Sequence, residues 1–348
     1  MEEPVMSAED VRPLETHAGW QSGDVADTSR WTEVLSPAEL DEIDAALTHA
    51  KSVSSNMLEI GREDFPLPHL STRLARIEKE LIDGRGFVLL RGLPRLDYSN
   101  DDMCLAYWGI GLHLGNPWPQ NKHGHMLGDV TDQGKALDDN TARGNELGGI
   151  ALPYHSDGSD LVGLMCLQRP AEGGLSAVCN ILAIHNELAE TRPGLLAELY
   201  KPQPYDYRGE EAAGGKPWYE VPVFTRWEER LFARYIRPYI LASQRHESAP
   251  RITPLAEEAM QLLDDMTQDP RFAVFMDFEP GDMQFVNNYH VLHARTAYRD
   301  DRESGQVRHL KRLWLETRAL ESRPPHFKSN VGGHWGKKKV ISRLDAAE

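Results

Sequence analysis

Apolar positions recur every three to four residues through the first third of the chain, then give way to short apolar runs separated by turns. Ser36-Pro-Ala-Glu39 has the form of a capping box with proline first, and Leu40, Ile43 and Leu47 follow on one helical face. Leu70, Leu74, Ile77 and Leu81 mark a second helix that stops at Gly84. Gly86 to Gly92 reads as a strand, and Ser99 caps a third helix through Met103, Ala106, Tyr107 and Ile110. Gly115 to Glu146 is long, polar and glycine-rich, the texture of a functional lid or a flexible excursion. Strands are expected at about 161–168, 175–180, 220–224, 231–237, 272–278, 283–288 and 311–317. One helix interrupts them, capped by Thr253, with Leu255, Ala259, Leu262 and Met266 expected to face inward. This order predicts a mainly β fold with flanking helices (α+β), a barrel or jelly roll buttressed by its N-terminal third. With no internal repeat or low-complexity linker, residues 31–348 are expected to form one domain, with its β core at about 86–318. The polar segment 1–30 is expected to be partly loose.

One short motif changes the picture. Tyr154-His-Ser-Asp-Gly158 precedes the apolar run Leu161–Leu167, and residues two apart in extended chain share a face. The His155 imidazole and the Asp157 carboxylate can therefore converge on one point. They supply two thirds of the 2-His-1-carboxylate set that holds non-haem Fe(II) with positions left open. The pair alone is weak, since 14 His and 54 Asp+Glu in 348 residues give roughly two such matches by chance. The chain has two, and the second, His185/Glu187, lies in a helical stretch where it reads as solvated surface. Two further histidines, His290 and His293, follow the strand at 283–288, and only one is needed. Arg308 and Arg312 flank the mouth of the last strand, where a guanidinium can pair bidentately with a carboxylate.

Composition narrows the partners. A net charge of −16 argues against nucleic acid and anionic membranes. No apolar run approaches the ~20 residues that span a bilayer. The acidic N-terminus lacks the order of a signal peptide, and Cys104, Cys166 and Cys179 read as reduced core thiols of a cytoplasmic protein. Lys337–Lys339 reads as a solvated tail. The expected partner is a small molecule, with homo-oligomerisation left open.

The ordered motifs resemble the taurine-dioxygenase-like (TauD/TfdA) family. They are Arg91-Gly92, His155/Asp157, Glu172-Gly-Gly-Leu-Ser176, Pro280-Gly-Asp282, Leu292-His-Ala-Arg295 and the Arg308/Arg312 pair. The resemblance implies a double-stranded β-helix (a cupin-like jelly roll) and dependence on Fe(II), 2-oxoglutarate and O2. It selects His293 over His290 as the third ligand beside His155 and Asp157. It implies that Arg308, helped by Ser176, binds the C5 carboxylate of 2-oxoglutarate, and that Arg312 lies where some members contact an anionic substrate. The expected reaction oxidises an unactivated C–H bond of a small polar molecule and releases succinate and CO2. Asp160, Gln120 and Asn121 are candidate substrate contacts, Asp160 with Arg312 suiting a zwitterion. The neighbourhood of Trp218 to Tyr239, with Lys216, Arg237 and Tyr239, is expected to line the pocket. The rival readings are a Zn2+-dependent hydrolase and a non-catalytic cupin-like binding protein.

Overall fold

The computed structural model describes residues 7–330 apart from residues 8, 17, 122 and 136–143, so Lys337–Lys339 lie outside the described residues. In chain order the strands are β1 (Thr32–Val34), β2 (Phe87–Arg91), β3 (Asn116–Pro117), β4 (Leu127–Val130), β5 (Leu152–His155), β6 (Leu161–Gln168), β7 (Glu172–Gly173) and β8 (Ser176–Asn180). They continue with β9 (Pro202–Asp206), β10 (Trp218–Pro222), β11 (Phe224–Trp227), β12 (Arg230–Ala233), β13 (Ala273–Met276), β14 (Met283–Asn287), β15 (Val291–Arg295), β16 (Tyr298–Arg299) and β17 (His309–Glu316). The major sheet runs β1-β2-β14-β6-β17-β3 with β4 also on β17, and the minor sheet runs β13-β8-β15-β5. All pairings are antiparallel except β1 with β2.

Alternation along each strand sorts side chains into two environments. In β14 Met283 and Phe285 join the outer core under the N-terminal helices, while Val286 faces inward. In β15 Leu292 packs outward, while Val291 points between the sheets. Phe87, Leu89, Val162, Val178, Val291, Leu310 and Trp314 form the inner core. Helices α1 (Pro37–Val53), α2 (Leu70–Ile82) and α3 (Asn100–Leu112) cover the major sheet. Helices α4 (Ile181–Thr191), α5 (Pro193–Leu199) and, after α6 (Arg237–Ser243), α7 (Pro254–Thr267) cover the minor one. The expected Ser36 capping box is present, with Glu39 answering the Ser36 backbone.

Several expectations need correction. Within 1–30, Trp20 and Val25 enter the inner core and Trp20 Nε1 donates to Arg85 O at 2.8 Å. Within 115–146, β3 and β4 hydrogen-bond to β17, so part of the stretch belongs to the major sheet. The buried face of α7 is Ala256, Ala259, Met260 and Leu263, with Leu262 and Met266 partly buried against the same core as expected and, of the expected set, only Leu255 exposed. His185 is not a solvated residue. It is buried and shares a 2.7 Å hydrogen bond with the Tyr200 hydroxyl.

Candidate metal centre

The centre is assembled by register. His293 on β15 stands opposite His155 at the end of β5 and opposite Val178 on β8. The two imidazole centroids are 4.3 Å apart, and His293 Nε2 lies 3.8 Å from Asp157 Oδ2. One donor atom from each of His155, Asp157 and His293 falls within 4.8 Å of the others. His155 Nδ1 lies 2.8 Å from Pro153 O, an atom that can only accept, so Nδ1 carries the proton and Nε2 keeps its lone pair for a metal. Burial and the neighbouring His155 lower the His293 pKa to about 3, which leaves a neutral imidazole. Burial alone would raise the Asp157 carboxyl, but Arg312, His293 and His155 outweigh it and hold the group below the usual carboxylate range.

Asp157 follows β5 in a non-repetitive loop that other elements clamp. Asn288 Oδ1 accepts from Asp157 N at 3.0 Å, and Asn288 Nδ2 donates to Ser159 O at 2.8 Å. Ser156 and Tyr235 exchange hydrogen bonds, Ser156 N to Tyr235 O and Tyr235 N to Ser156 Oγ. Trp314 Nε1 donates to Asp157 Oδ2 at 3.0 Å, and Arg312 Nη1 approaches both carboxylate oxygens at 3.2 and 3.3 Å. Arg234 Nη1 donates to Asp157 O. Asn288, Arg234 and Trp314 were not legible as site residues, because nothing in their local sequence signals a partner more than seventy positions away.

His290 does not join the set. It sits in the turn after β14, buried against Gly86, where a Cβ on Gly86 would approach His290 Cβ to 3.2 Å. Its pKa is lowered to about 4, by burial and then by Arg230.

Ser176 and Arg308, the expected 2-oxoglutarate contacts, are both buried. Ser176 on β8 faces Arg295 on β15, and Ser176 Oγ donates to Gln284 Oε1 at 3.1 Å. Arg308 is buried, and its Nη1 has no hydrogen-bond partner among the described residues. Burial, then the Arg295 charge, brings its pKa down to about 10. A buried cation left unneutralised is costly, so Arg308 fits a carboxylate that enters from outside the chain. The donor set of the triad likewise fits Fe(II).

The other candidates separate. Gln120 is spent on orientation: Nε2 donates to Arg312 O at 2.7 Å and Oε1 accepts from Arg312 Nε at 2.9 Å. Asn121 organises its own turn, accepting from the backbone of His123 and His125. Asp160, expected as a substrate contact, is satisfied within the protein instead. It is fully buried, paired with both terminal nitrogens of Arg323, and accepts from Tyr289 Oη at 2.8 Å and Thr317 N at 2.9 Å. Burial pushes its carboxyl up to about 6 against the pull of Arg323. Arg237 pairs with Glu257 and Asp264, Lys216 lies over Trp218 and Tyr239 stacks under Arg208, so none of these contacts involves the triad. The Arg91 of the early motif pairs bidentately with Asp282, tying β2 to the turn before β14.

Comparison with known proteins agrees with this architecture. The family described as "Taurine catabolism dioxygenase TauD, TfdA family" matches residues 45–314. The chain is 30% identical over 331 residues to FR-33289 synthase of Streptomyces rubellomurinus, covering 94% of this chain and 96% of that one. It is 28% identical over 289 residues to the taurine hydroxylase-like protein SAT17 of Stachybotrys chartarum, covering 80% and 73% respectively. Among solved structures, asparagine oxygenase in complex with Fe(II), 2S,3S-3-hydroxyasparagine and succinate shares the fold, with a TM-score of 0.64 at 18% identity over 86% of this chain and 98% of that one. No helix among the described residues is long and apolar enough to cross a membrane. The chain belongs to the TauD/TfdA family and is a dioxygenase that uses Fe(II), 2-oxoglutarate and O2.

Proposed function

We propose that this enzyme hydroxylates a C–H bond of a small polar organic acid, with His155, Asp157 and His293 holding the iron and Arg308 holding 2-oxoglutarate. The observation that carries the reading is the meeting of three ligand atoms within 4.8 Å, together with a buried guanidinium, that of Arg308, whose Nη1 lacks a partner among the described residues. A zinc hydrolase or a non-catalytic barrel would leave that cation without a use. Iron bound with 2-oxoglutarate supplies, with O2, the oxidative decarboxylation to succinate and CO2 and the oxidant for substrate C–H cleavage.

The chain's own residues do the positioning. Pro153 O fixes the His155 tautomer so that Nε2 can ligate. Trp314 Nε1 and Arg312 Nη1 hold the Asp157 carboxylate in place. Arg308 would receive the C5 carboxylate, and Ser176 would turn its hydroxyl from Gln284 toward the same group. Arg312, oriented by Gln120, would meet an anionic group of the substrate. The asparagine oxygenase neighbour, whose complex holds 2S,3S-3-hydroxyasparagine and succinate, supports a small polar acid as the substrate.

The test is iron stoichiometry together with 2-oxoglutarate-dependent succinate release. His155→Ala and His293→Ala should lose iron and turnover, whereas His290→Ala should keep its iron. Loss of iron from His290→Ala with retention in His293→Ala would reverse the assignment.

A further inference from the structure

The turn between β7 and β8 contains Gly173 and Gly174, and both stand at positive φ, 69° and 73°. A Cβ on Gly173 would lie 2.3 Å from Ala297 O. One on Gly174 would lie 3.2 Å from Tyr298 Cβ and 3.3 Å from Arg308 Cδ. The bare turn thus lets Tyr298 and Arg308 pack against the same point of the backbone. Tyr298 itself is well fixed. It pairs with Gly173 in the β7–β16 ladder, Gly174 N donates to Ala297 O at 3.0 Å, and Tyr298 N donates to Gly149 O at 3.0 Å.

The Tyr298 ring is buried and meets two guanidinium groups. Arg308 Cζ lies over it at 5.4 Å from the centroid, and Arg295 Cζ at 4.7 Å. The two cations are otherwise unequal. Arg295 Nη2 donates to Leu147 O at 3.1 Å and to Ile150 O at 2.9 Å, so backbone carbonyls hold that group. Arg308 is 3% exposed, its Nη1 has no hydrogen-bond partner, and no carboxylate among the described residues forms an ion pair with it. The ring is the electrostatic partner left to it: the negative face of an aromatic ring attracts a cation, and more strongly where water is excluded. The need for such a hold is clear, since the neighbouring Arg295 charge repels Arg308.

We propose that Tyr298 is a positioning residue for the co-substrate: its ring holds the Arg308 guanidinium, against the repulsion of Arg295, where the C5 carboxylate of 2-oxoglutarate arrives. This rests on the reading of Arg308 given under the proposed function. With Arg295 engaged by carbonyls and Arg308 only by a ring, the arrangement also decides which of the two cations takes the carboxylate. Tyr298 Oη has no hydrogen-bond partner among the described residues, so within the protein it is the ring that acts.

The experiment is anaerobic titration of the Fe(II)-loaded enzyme with 2-oxoglutarate, followed by the visible charge-transfer band. A parallel titration uses 2-oxopentanoate, which chelates iron in the same way but has no C5 carboxylate. Tyr298→Leu should raise the Kd for 2-oxoglutarate roughly ten-fold or more, the scale of a desolvated cation–ring contact. It should leave iron stoichiometry and the Kd for 2-oxopentanoate unchanged. Tyr298→Phe, which keeps the ring, should bind both acids like the wild type. In the Arg308→Ala background Tyr298→Leu should add no further loss. Wild-type 2-oxoglutarate affinity in Tyr298→Leu, an equal loss for both acids, a loss in Tyr298→Phe as large as in Tyr298→Leu, or full additivity with Arg308→Ala overturns the proposal. Should Tyr298→Leu fail to fold, Tyr298→Met replaces it, and failure of both makes Tyr298 a structural residue and the proposal wrong. If Arg308→Ala itself binds 2-oxoglutarate normally, the reading of Arg308 falls as well. If Arg308→Ala is impaired and Tyr298→Leu is not, only the role of Tyr298 falls.

Discussion

Arg234 and Arg308 are buried and Arg312 is partly buried, and the three differ mainly in what they pair with. Arg312 leans on Asp157, Arg234 on a backbone carbonyl, and Arg308 leaves Nη1 without any acceptor among the described residues. For Arg308 the missing partner has a direct kinetic consequence. Removing one half of a buried charge pair costs ~3–5 kcal/mol, which is a factor of hundreds or more in affinity. Arg308→Ala should therefore raise the KM for 2-oxoglutarate by roughly that factor while iron stoichiometry stays near one. If Arg312→Ala produces that rise and Arg308→Ala does not, the two roles are exchanged. These side chains were individually visible in the sequence, but their burial was not. The same blindness misplaced Asp160 and His185, since a carboxylate or an imidazole in an apolar stretch shows no sign of the Arg323 or Tyr200 that will satisfy it.

At the level of the element, period-two alternation is what brings the chemistry together. Ser176, Gln284, Val291 and Trp314 point to the interior because their neighbours Ala177, Phe285, Leu292 and Leu313 belong to the outer cores. A shift of register by one residue would move His293 out of the site. Strand β6 shows how closely the layers fit. A Cβ on Gly163 would lie 2.2 Å from Tyr107 Oη on α3 and 2.9 Å from Phe285 on β14, so only glycine lets helix and sheet approach this far. Gly163→Ala should lower stability by ~1–3 kcal/mol through overpacking, read as a shift of the urea midpoint with an unchanged m value. A neutral or stabilising effect would contradict the tight contact. The strands rich in apolar residues were predictable from pattern, as was the capping box of α1. The strand β5, which delivers His155, was not: Leu152-Pro-Tyr-His155 contains a proline and lies at the edge of its sheet, where periodicity is weak.

Across the whole molecule, the chain after the last strand closes on the metal loop. Arg323 reaches Asp160 across 163 positions, and Phe327 packs with Phe232 and Tyr289. Arg323→Ala should cost ~3–5 kcal/mol by leaving Asp160 buried and unpaired, whereas the joint replacement Asp160→Asn/Arg323→Met should recover much of it. Urea unfolding of the two proteins measures the difference, and equal stabilities would show that the pair is not coupled. A second prediction is acid sensitivity. Burial lowers the pKa of both His185 and His290 to about 4. Against about 6.5 in the unfolded chain, the folded state binds fewer protons between these values. The stabilisation is complete above pH ~6.5 and is lost as pH falls toward ~4, by roughly a few kcal/mol for each histidine. Melting temperature should fall through that window, and His185→Gln should flatten the decline. A melting temperature constant from pH 7 to pH 4.5 would rule the effect out.

The sequence by itself determined the local decisions: helix caps, strand alternation, the adjacency of His155 and Asp157, and the motif order that marks the family. These depend on neighbours a few residues away, where chain geometry is fixed. Only the tertiary structure decided which acids are neutralised, and that Arg234 and Trp314 stand beside Asp157. Those outcomes depend on contacts between elements 77 and 157 residues apart in the chain, and no local pattern encodes them. The N-terminal segment shows the same divide. Its polar composition suggests a loose tail, yet Trp20 and Trp31 pack against Phe87 because the β-sandwich offers an apolar surface that the sequence alone does not display.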